Sequence, residues 1–365
     1  MGVEIDRRTL LSGAGAAFLA SLQPARAAQL KSASSLFVSA FMDDERQYGF
    51  AILDDKGALI HRHTMPARAH GFAWSPQLGQ AIAFARRPGN FAIAFDPAGG
   101  REPVVFHSPE GRHFYGHGVF SADGRLLFAT ENDFEAGQGK IGIYDAAASY
   151  RRIGEFDSYG VGPHEMILTG DGRTLAIANG GIRTHPDFGR QKLNLAEMES
   201  SIVLIDSRTG DLRARHVLAA EHRRMSLRHM VHAADGALWI GGQFEGDPAS
   251  APSPVYRMHE DGETQTIELP VRARRLLSGY VGAVAIAGDG RLAGFSSPRG
   301  GGVVVLDTET GDVHGMQESR RTSGLYGAAR RTGGGAFVSS NEDGRFGESQ
   351  YPLHWDNHLI RCDIS

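Results

Sequence analysis

The sequence lacks the features that usually stabilise small secreted domains or attract nucleic acids. It contains a single cysteine, Cys362, so no disulfide can form within the chain and stability must come from packing. Its 38 lysines and arginines are outnumbered by 42 acidic residues, which gives a formal net charge of −4. Because nucleic-acid binding relies on an excess of positive charge, nucleic acid is not an expected partner.

Signature motifs of common enzymes are also missing. The sequence has no G-x-S-x-G elbow, no H-E-x-x-H helix, no C-x-x-C pair and no Walker loop. His164-Glu165 is not followed by the second histidine of a metalloprotease. A serine hydrolase or conventional metalloprotease is therefore not expected, and whether the protein is an enzyme stays open.

Long apolar runs are scarce, and the one near the N-terminus predicts an export signal. Arg7-Arg8 precede an apolar run from Leu10 to Leu22, and Ala25-Arg26-Ala27 resembles a cleavage site. The run is short and rich in Gly and Ala, which disfavours a membrane span. We expect residues 1–27 to be a twin-arginine-type leader and residues 28–365 to form one periplasmic domain, with an uncleaved anchor as the alternative.

Glycine, by contrast, is abundant at 48 residues, and it falls mostly in the turns of an internal repeat. Six segments each contain an apolar strand, a tight turn that is usually Asp-Gly, and a second apolar strand. They are "HGFAWSPQLGQAIAFA", "YGHGVFSADGRLLFAT", "HEMILTGDGRTLAIAN", "HMVHAADGALWIGGQF", "VGAVAIAGDGRLAGFSS" and "GAARRTGGGAFVSS". A third run such as "KIGIYD" and usually a fourth strand follow, so each unit predicts four strands.

The spacing of the units predicts an all-β fold. His70, His117 and His164 follow one another at intervals of 47 residues, which is the length of a propeller blade. Residues 36–65 match the second, third and fourth strands of a unit, whereas "HLIRCDIS" at the C-terminus resembles the third strand of the last unit. We predict a seven-bladed β-propeller of four-stranded antiparallel blades, closed by the two termini, with six blades as the alternative. Only "LNLAEMES" has a helical pattern.

Four histidines recur at the start of the first strand of a unit, the strand that lines the central channel of a propeller. Neutral imidazole is a ligand for Fe, Cu and Zn, so a transition-metal site is predicted on these side chains, joined by carboxylates such as Glu131, Asp133 and Glu165. The alternative is that each histidine only caps its strand by a hydrogen bond. The predicted metal ligands are His70, His117, His164 and His229.

Loops between second and third strands open on the same face as these histidines and are polar, as in "ARRPGN", "ENDFEAGQG" and "SPRGG". An insertion at about 182–198 interrupts the fourth unit on that face, and it either contributes to a ligand site or is a solvated loop. Its Arg183, His185 and Lys192 are candidates to hold an anionic group. Arg299 in "SPRGG" is another candidate, with a simple turn as the alternative.

Several long motifs resemble one exported bacterial family, the domain of unknown function 1513. They include "YGHGVFSADGRLLFATEND", "GEFDSYGVGPHEMIL", "NGGIRTHPDFGRQKLNL" and "GYVGAVAIAGDGRLAGFSSPRGG". The resemblance implies a periplasmic propeller of lactonase or surface-layer type whose members often occur beside imelysin-type iron-uptake proteins, and it supplies no activity. The family's recurring motifs fall here on Tyr115, Gly116, His117, Glu131, Asn132, Asp133, His164, Glu165, Arg183, His185, Asp187, Lys192, Asn194, Arg228, His229, Tyr280 and Arg299.

Three functional hypotheses follow. The first is a periplasmic binding protein accessory to iron or other metal acquisition, with a metal or small ligand at the channel mouth and iron-uptake proteins as partners. The second is a metal-dependent hydrolase or oxidoreductase of lactonase-like character. The third is a scaffold whose top face binds another protein. Candidate ligand-binding residues beside the histidines are Tyr115, Glu131, Asp133, Glu165, Arg183, His185, Lys192, Arg228, Tyr280 and Arg299.

Overall fold

The computed structural model describes residues 24–259, 262, 264–328 and 335–364, which form a seven-bladed β-propeller with four antiparallel strands in every blade. The prediction of seven blades rather than six is confirmed. Residues 1–23 of the expected leader lie outside the described residues, as does part of the turn in the sixth repeat. Within the described ranges, no helix has the length and hydropathy needed to cross a membrane.

The blades follow the repeat units, with the strand order running from the channel to the rim. Blade 1 contains β28 (Leu353–Asp363), β1 (Ser35–Asp43), β2 (Tyr48–Asp54) and β3 (Leu59–Met65). Blade 2 contains β4 (Ala69–Ser75), β5 (Gln80–Ala85), β6 (Phe91–Phe95) and β7 (Val104–His107). Blade 3 contains β8 (Arg112–Phe120), β9 (Leu126–Asp133), β10 (Gln138–Asp145) and β11 (Arg151–Asp157). Blade 4 contains β12 (Pro163–Leu168), β13 (Thr174–Asn179), β14 (Ser201–Asp206) and β15 (Leu212–Val217).

The remaining blades have the same order. Blade 5 contains β16 (Met225–His232), β17 (Ala237–Phe244), β18 (Val255–His259) and β19 (Gln265–Thr266). Blade 6 contains β20 (Ala283–Ile286), β21 (Leu292–Ser297), β22 (Gly302–Asp307) and β23 (Val313–Glu318). Blade 7 contains β24 (Thr322–Gly327), β25 (Phe337–Asn341), β26 (Arg345–Phe346) and β27 (Ser349–Gln350).

Side chains of the middle strands are buried on both faces because each blade is packed between two others. Ile82 and Phe84 of blade 2 pack with Phe114 and Tyr144 of blade 3 in one such layer. On the outer strands the pattern changes to alternating exposure, as along β11, since only one face of each outer strand contacts a neighbour. Sequence runs that are continuously apolar therefore mark middle strands, and alternating runs mark the rim.

The tight turns between first and second strands are built by aspartate side chains. In the turn after β8, the Asp123 carboxylate accepts hydrogen bonds from the Ser121 hydroxyl and the Arg125 backbone N–H, and Gly124 has φ +72°. Such a positive φ favours glycine, which explains the repeated Asp-Gly signature. These turns lie at the opposite end of the channel from the polar loops.

The C-terminal strand closes the ring, but in a different position from the one predicted. Residues 353–363 form β28, the innermost strand of blade 1, where Ser39 pairs with Leu359 and Leu36 with Cys362. "HLIRCDIS" is therefore the missing first strand of the 36–65 unit and not the third strand of the last unit. The prediction was wrong because blade 7 is completed by two very short strands, β26 and β27, which a repeat search does not detect.

Two α-helices lie outside the blade pattern in the described ranges. Helix α1 (Pro24–Ser32) contains the cleavage site expected after Ala27, and its Leu30 packs into the core between blades 1 and 2. Helix α2 (Val271–Leu277) connects blades 5 and 6 and was not predicted. Short 3₁₀ turns occur at Ala146–Ala148, Pro186–Phe188, Ala220–His222 and Pro248–Ser250.

The insertion contains no α-helix at "LNLAEMES". Its Asn194 side chain accepts a hydrogen bond from the Arg183 backbone N–H at 2.7 Å and donates one to the Gly181 carbonyl at 2.9 Å. These bonds fix the segment against the start of its own loop, so the helical periodicity is not realised. The insertion lies on the same face as the starts of the innermost strands.

A candidate metal centre in the central channel

Five innermost strands each place one histidine side chain against the others in the channel. They are His70 on β4, His117 on β8, His164 on β12, His229 on β16 and His358 on β28. Neighbouring ring centroids are 4.5–5.0 Å apart, as for His70 and His358 at 4.5 Å and His117 and His164 at 5.0 Å. The repeat thus brings the four predicted histidines together and adds a fifth.

Glycines next to the histidines allow this close approach. A Cβ atom at Gly116 would lie 2.7 Å from the His70 ring, and one at Gly71 would lie 2.8 Å from Nδ1 of His117. Gly116 also has φ +105°, a backbone conformation that residues other than glycine rarely adopt. The "YGHG" and "HG" sequences are therefore requirements of imidazole packing across neighbouring blades.

The imidazoles have few hydrogen-bond partners of their own. His70, His117, His229 and His358 are buried, and His164 is partly exposed. Four buried ring nitrogens lack a hydrogen-bond partner among the described residues: Nδ1 of His70 and Nε2 of His117, His164 and His358. Buried polar atoms are almost always satisfied, so four such atoms in one cluster make this a candidate site for a bound ion.

Burial also favours the neutral form of four of the imidazoles. It holds the pKa values of His70, His164 and His358 well below the ordinary value, and repulsion between neighbouring imidazoles adds to the effect for His164 and His358. Burial likewise lowers the pKa of His229, although Glu165 opposes the change. Neutral imidazoles have a lone pair on one ring nitrogen and can coordinate a metal at neutral pH.

Glu165 determines which nitrogen carries that lone pair in two of the rings. Nδ1–H of His229 donates to Oε2 of Glu165 at 3.2 Å, and Nδ1 of His117 lies 3.5 Å from Oε1. The Met230 backbone N–H donates to Oε2 at 2.9 Å. Burial opposes ionisation of Glu165, but these donors hold its carboxyl pKa well below the ordinary range. A carboxylate behind Nδ1 leaves Nε2 as the ligand atom, as in many metal sites.

Two sets of three histidines have ligand atoms close enough to share an ion. In both the His117–His164–His229 set and the His70–His117–His358 set, these atoms lie within 4.8 Å of one another. At that limit the centre of an equilateral triangle is about 2.8 Å from each corner, so each ring would move inward by about 1 Å or less to reach a metal–imidazole bond of about 2.0–2.1 Å. Because a neutral imidazole has one lone pair, His117 can serve only one set at a time.

Asp356, next to His358 on β28, is a second buried acid beside the cluster. It forms an ion pair with Arg68, and its Oδ1 lies 3.9 Å from Nδ1 of His70. Burial opposes its ionisation, but His70, Arg68 and Arg86 hold its pKa well below the ordinary range. The carboxylate therefore stays charged beside the imidazoles.

Of the three acids expected to join the histidines, only Glu165 does. Glu131 is fully buried in blade 3, where its Oε1 accepts a hydrogen bond from the Tyr144 hydroxyl at 2.6 Å and from Arg152 at 3.2 Å. Asp133 lies 3.3 Å from Arg112, which also pairs with Glu131. These side chains belong to an ion network within one blade, since the second strand directs them toward Arg112 on β8, Tyr144 on β10 and Arg152 on β11.

Two other predicted residues line a pocket beside the cluster. Tyr115 and Arg228 share this pocket with His70 and His164. Burial raises the pKa of Tyr115 to about 12, and its hydroxyl lies beside the Thr184 side chain. The pocket opens to solvent at the channel mouth.

Tyr280 and Arg299 lie together on the other side of the channel. The Arg299 guanidinium is 5.2 Å from the centre of the Tyr280 ring, and the Tyr280 hydroxyl accepts a hydrogen bond from Asn357 at 3.0 Å. Asn357 precedes His358 on β28. This pair therefore contacts the strand of the fifth histidine but not the imidazoles themselves.

The candidates in the insertion are dispersed. Arg183 is exposed and lies beside Gly137, and His185 contacts Glu135 at 3.3 Å, so both cover the loop after β9. Lys192 forms an ion pair with Glu245. None of the three contacts the five imidazoles in the described part of the chain.

Sequence reasoning missed His358, Asp356, Arg86 and Arg87 as site residues. His358 was missed because the strand that carries it was assigned to the wrong blade. If residues 353–363 had been aligned as the first strand of the 36–65 unit, a histidine at the inner-strand position would have been predicted. Arg86 and Arg87 are in "ARRPGN", a loop that was recognised as polar and on the right face.

Comparison with known proteins supports the fold and gives a family. The β-propeller of hydrazine synthase from Kuenenia stuttgartiensis, for example, superimposes with a TM-score of 0.57 at 14% identity, covering 73% of this chain and 75% of that one. The β-propeller domain of Myceliophteria thermophila Cps50 (Swd1) gives a TM-score of 0.57 at 12% identity, over 85% of this chain and 93% of that one. At this identity the likeness concerns the fold alone. No curated protein matches the sequence.

Residues 63–362 match the model of a family described as "Protein of unknown function (DUF1513)". The expected family is thereby confirmed, and the chain belongs to it.

Proposed function

We propose that this protein is a transition-metal-binding β-propeller that holds one ion in its central channel. The observation that carries the proposal is a cluster of five touching imidazoles in which four buried ring nitrogens lack a hydrogen-bond partner among the described residues. A strand-capping role would give each histidine its own partner. A shared metal ion satisfies several of these nitrogens at once.

The ligand chemistry favours iron, copper or zinc. The donors are neutral imidazoles, whereas Mg²⁺ and Ca²⁺ prefer oxygen ligands. The one thiol, Cys362, is buried in the core between blades 1 and 2 and takes no part. The imidazole ligands suit iron, copper and zinc alike. Only the family resemblance favours iron among the three.

The principal ligands in this proposal are His117, His164 and His229. Glu165 orients two of them through Nδ1, which leaves both Nε2 atoms available. His164 is partly exposed to the pocket at the channel mouth, which gives an ion a path to the site. His70 and His358 complete the surroundings, and one ion per chain is expected because both sets use His117.

An ion held on side chains that reach solvent through a pocket suits capture and release. We therefore propose a role in metal acquisition, and on the N-terminal sequence we propose the periplasm as its location. A metal-dependent hydrolase would in addition need a bound substrate beside the ion. A pure scaffold would have no use for neutral imidazoles packed together in the channel.

Elemental analysis and metal titration test the proposal. The mature protein, made without a histidine tag and stripped with EDTA, is titrated with Fe²⁺ under anaerobic conditions, with Cu²⁺ and with Zn²⁺. We expect about one equivalent of at least one metal, loss of binding in the His117→Ala/His164→Ala double variant, and full binding by His314→Ala, which removes an exposed histidine of β23.

The proposal would be overturned if the wild-type protein bound none of the three metals. Unfolding in urea checks that the double variant is folded. If it is not, His164→Gln alone serves, because this side chain is partly exposed and its replacement disturbs packing least.

A further inference from the structure

A pocket at the channel mouth concentrates arginine side chains next to the histidine cluster. It opens to solvent and has a cavity volume of about 50 Å³. Two of its arginines lie in the loop after β5, and a third lies on β16 beside His229. Its polar lining includes Arg86, Arg87, Arg228, Tyr115, His70 and His164.

The positive charge of this pocket is only partly compensated by acids. Among the described residues, the guanidinium groups of Arg86 and Arg87 have no hydrogen-bonded or ion-paired partner. Arg228 is 3.5 Å from Glu245, but that carboxylate already pairs with Lys192. Nε of Arg228 is buried without a partner. Three arginines thus face one cavity whose two nearby acids are shared with other cations, Glu245 with Lys192 and Asp356 with Arg68.

Burial and mutual repulsion both act on these arginines. Burial, together with repulsion from Arg68 and Arg190, lowers the pKa of Arg86 to about 10, although the negative charge of Asp356 acts to raise this pKa. Burial and the nearby Arg228 lower the pKa of Arg87. At neutral pH Arg86 remains charged, so the pocket holds desolvated positive charge that an anion would stabilise.

We infer that this pocket is a binding site for a small oxyanion, whose oxygens accept hydrogen bonds from Arg86, Arg87 and Arg228. The planar guanidinium group matches carboxylate and phosphate oxygens in a bidentate manner. The site goes beyond the metal centre and does not require a metal to be present.

Tyr115 adds a neutral donor to the same pocket. Its hydroxyl is buried in the pocket wall beside the Thr184 side chain. A phenol keeps its proton at neutral pH, so this hydroxyl can donate a hydrogen bond to a bound anion. A donor set of three guanidinium groups and one phenol fits a ligand with several oxygens better than a halide.

The experiment uses metal-free protein so that anion binding and metal binding are measured separately. EDTA-treated and dialysed protein in Tris-chloride buffer is titrated calorimetrically with citrate and, separately, with inorganic phosphate. Variants Arg87→Gln and Arg87→Lys test the pocket, and Arg125→Gln, which removes an 84% exposed arginine, is the matched control.

We expect saturable binding of at least one probe, weakened about 10–100-fold by Arg87→Gln, as for loss of a charge-assisted hydrogen bond. Arg87→Lys should give an intermediate loss, because it keeps the charge but not the bidentate geometry, and Arg125→Gln should bind like the wild type. Tighter binding of citrate assigns a carboxylate ligand, and tighter binding of phosphate assigns a phosphate-bearing one. Both results support an oxyanion site.

Two results would overturn the inference: no binding of either probe by the wild-type protein at millimolar concentration, or equal binding by a folded Arg87→Gln variant. If Arg87→Gln does not fold, the Arg87→Lys series and the fall in wild-type affinity with added sodium chloride provide the test. The two proposals can fail separately. A negative anion titration would not change the metal titration in anion-free buffer, and a negative metal titration would not change the anion result.

Discussion

Replacement of Glu165 by glutamine tests how the channel prepares its histidines for a metal. The carboxylate has two oxygens: Oε2 accepts from His229 Nδ1–H and the Met230 N–H, and Oε1 faces His117 Nδ1 at 3.5 Å. Glutamine retains only one acceptor oxygen. That oxygen is best placed toward the two donors at Oε2, so the new NH₂ group faces His117.

An NH₂ group facing Nδ1 of His117 requires a lone pair on Nδ1. His117 would then carry its proton on Nε2, the buried atom that the proposal uses as its metal ligand. Loss of one ligand's orientation typically weakens metal binding about 10–100-fold, which corresponds to about 1.4–2.7 kcal/mol. We expect Glu165→Gln to bind its metal with that loss of affinity.

The assay is competition with a chromophoric chelator at fixed pH, using Zn²⁺ or whichever metal the titrations identify. Glu199→Gln, which changes an exposed acid paired with Arg215, should bind like the wild type. If Glu165 acts through His117, adding Glu165→Gln to a His117→Ala variant should cost much less than it costs alone. A folded Glu165→Gln variant with wild-type affinity would refute the reasoning.

Three further predictions concern the glycines, the buried histidines and the closing strand. Gly116→Ala should abolish metal binding, because its Cβ would lie 2.7 Å from the His70 ring. This clash adds to the backbone strain of about 1–3 kcal/mol, so the loss of stability should exceed that range. Gly236→Ala, which also has positive φ but open space around its Cβ, should keep metal binding; equal metal loss in both variants would argue against imidazole packing as the cause. Burial lowers the pKa of His113 to about 4. In the unfolded chain this histidine takes up a proton near pH 6.5, so its contribution to stability is complete above pH 6.5 and falls by up to about 3 kcal/mol toward pH 4. Urea denaturation at several pH values measures this change. If His113→Gln had the same dependence of stability on pH as the wild type, this prediction would be contradicted. Burial raises the pKa of the Cys362 thiol, so a disulfide reagent should label it only after unfolding, and rapid labelling of native protein would show that β28 opens locally.

The sequence predicts most of the architecture because a propeller repeats its local pattern. Tight turns, usually Asp-Gly, and apolar middle strands recur along the chain, two successive intervals are 47 residues long, and the units fold by the same local rules. The first-strand histidines follow from the same alignment, since an inner strand of each blade faces the channel. His70, His117, His164 and His229 could therefore be predicted to converge.

The assignment of single side chains to the site depends on register and on contacts between blades. Glu131 and Asp133 were expected near the histidines from their loop, but the second strand directs them to Arg112 and Arg152 instead. His358 is distant in sequence from the 36–65 unit whose first strand it occupies. Its position depends on pairing between β28 and β1, a contact between the two ends of the chain.

The sequence by itself thus determined the fold class, the number of blades and the four histidines that recur with the repeat, because short-range pattern and period specify them. Only the tertiary structure decided that a fifth histidine joins the cluster, that Glu165 alone among the expected acids orients it, and that Arg86 and Arg87 face the pocket beside it. The physical reason is ring closure: it brings inner strands that are remote in sequence within contact distance, and no local pattern encodes which of their side chains meet.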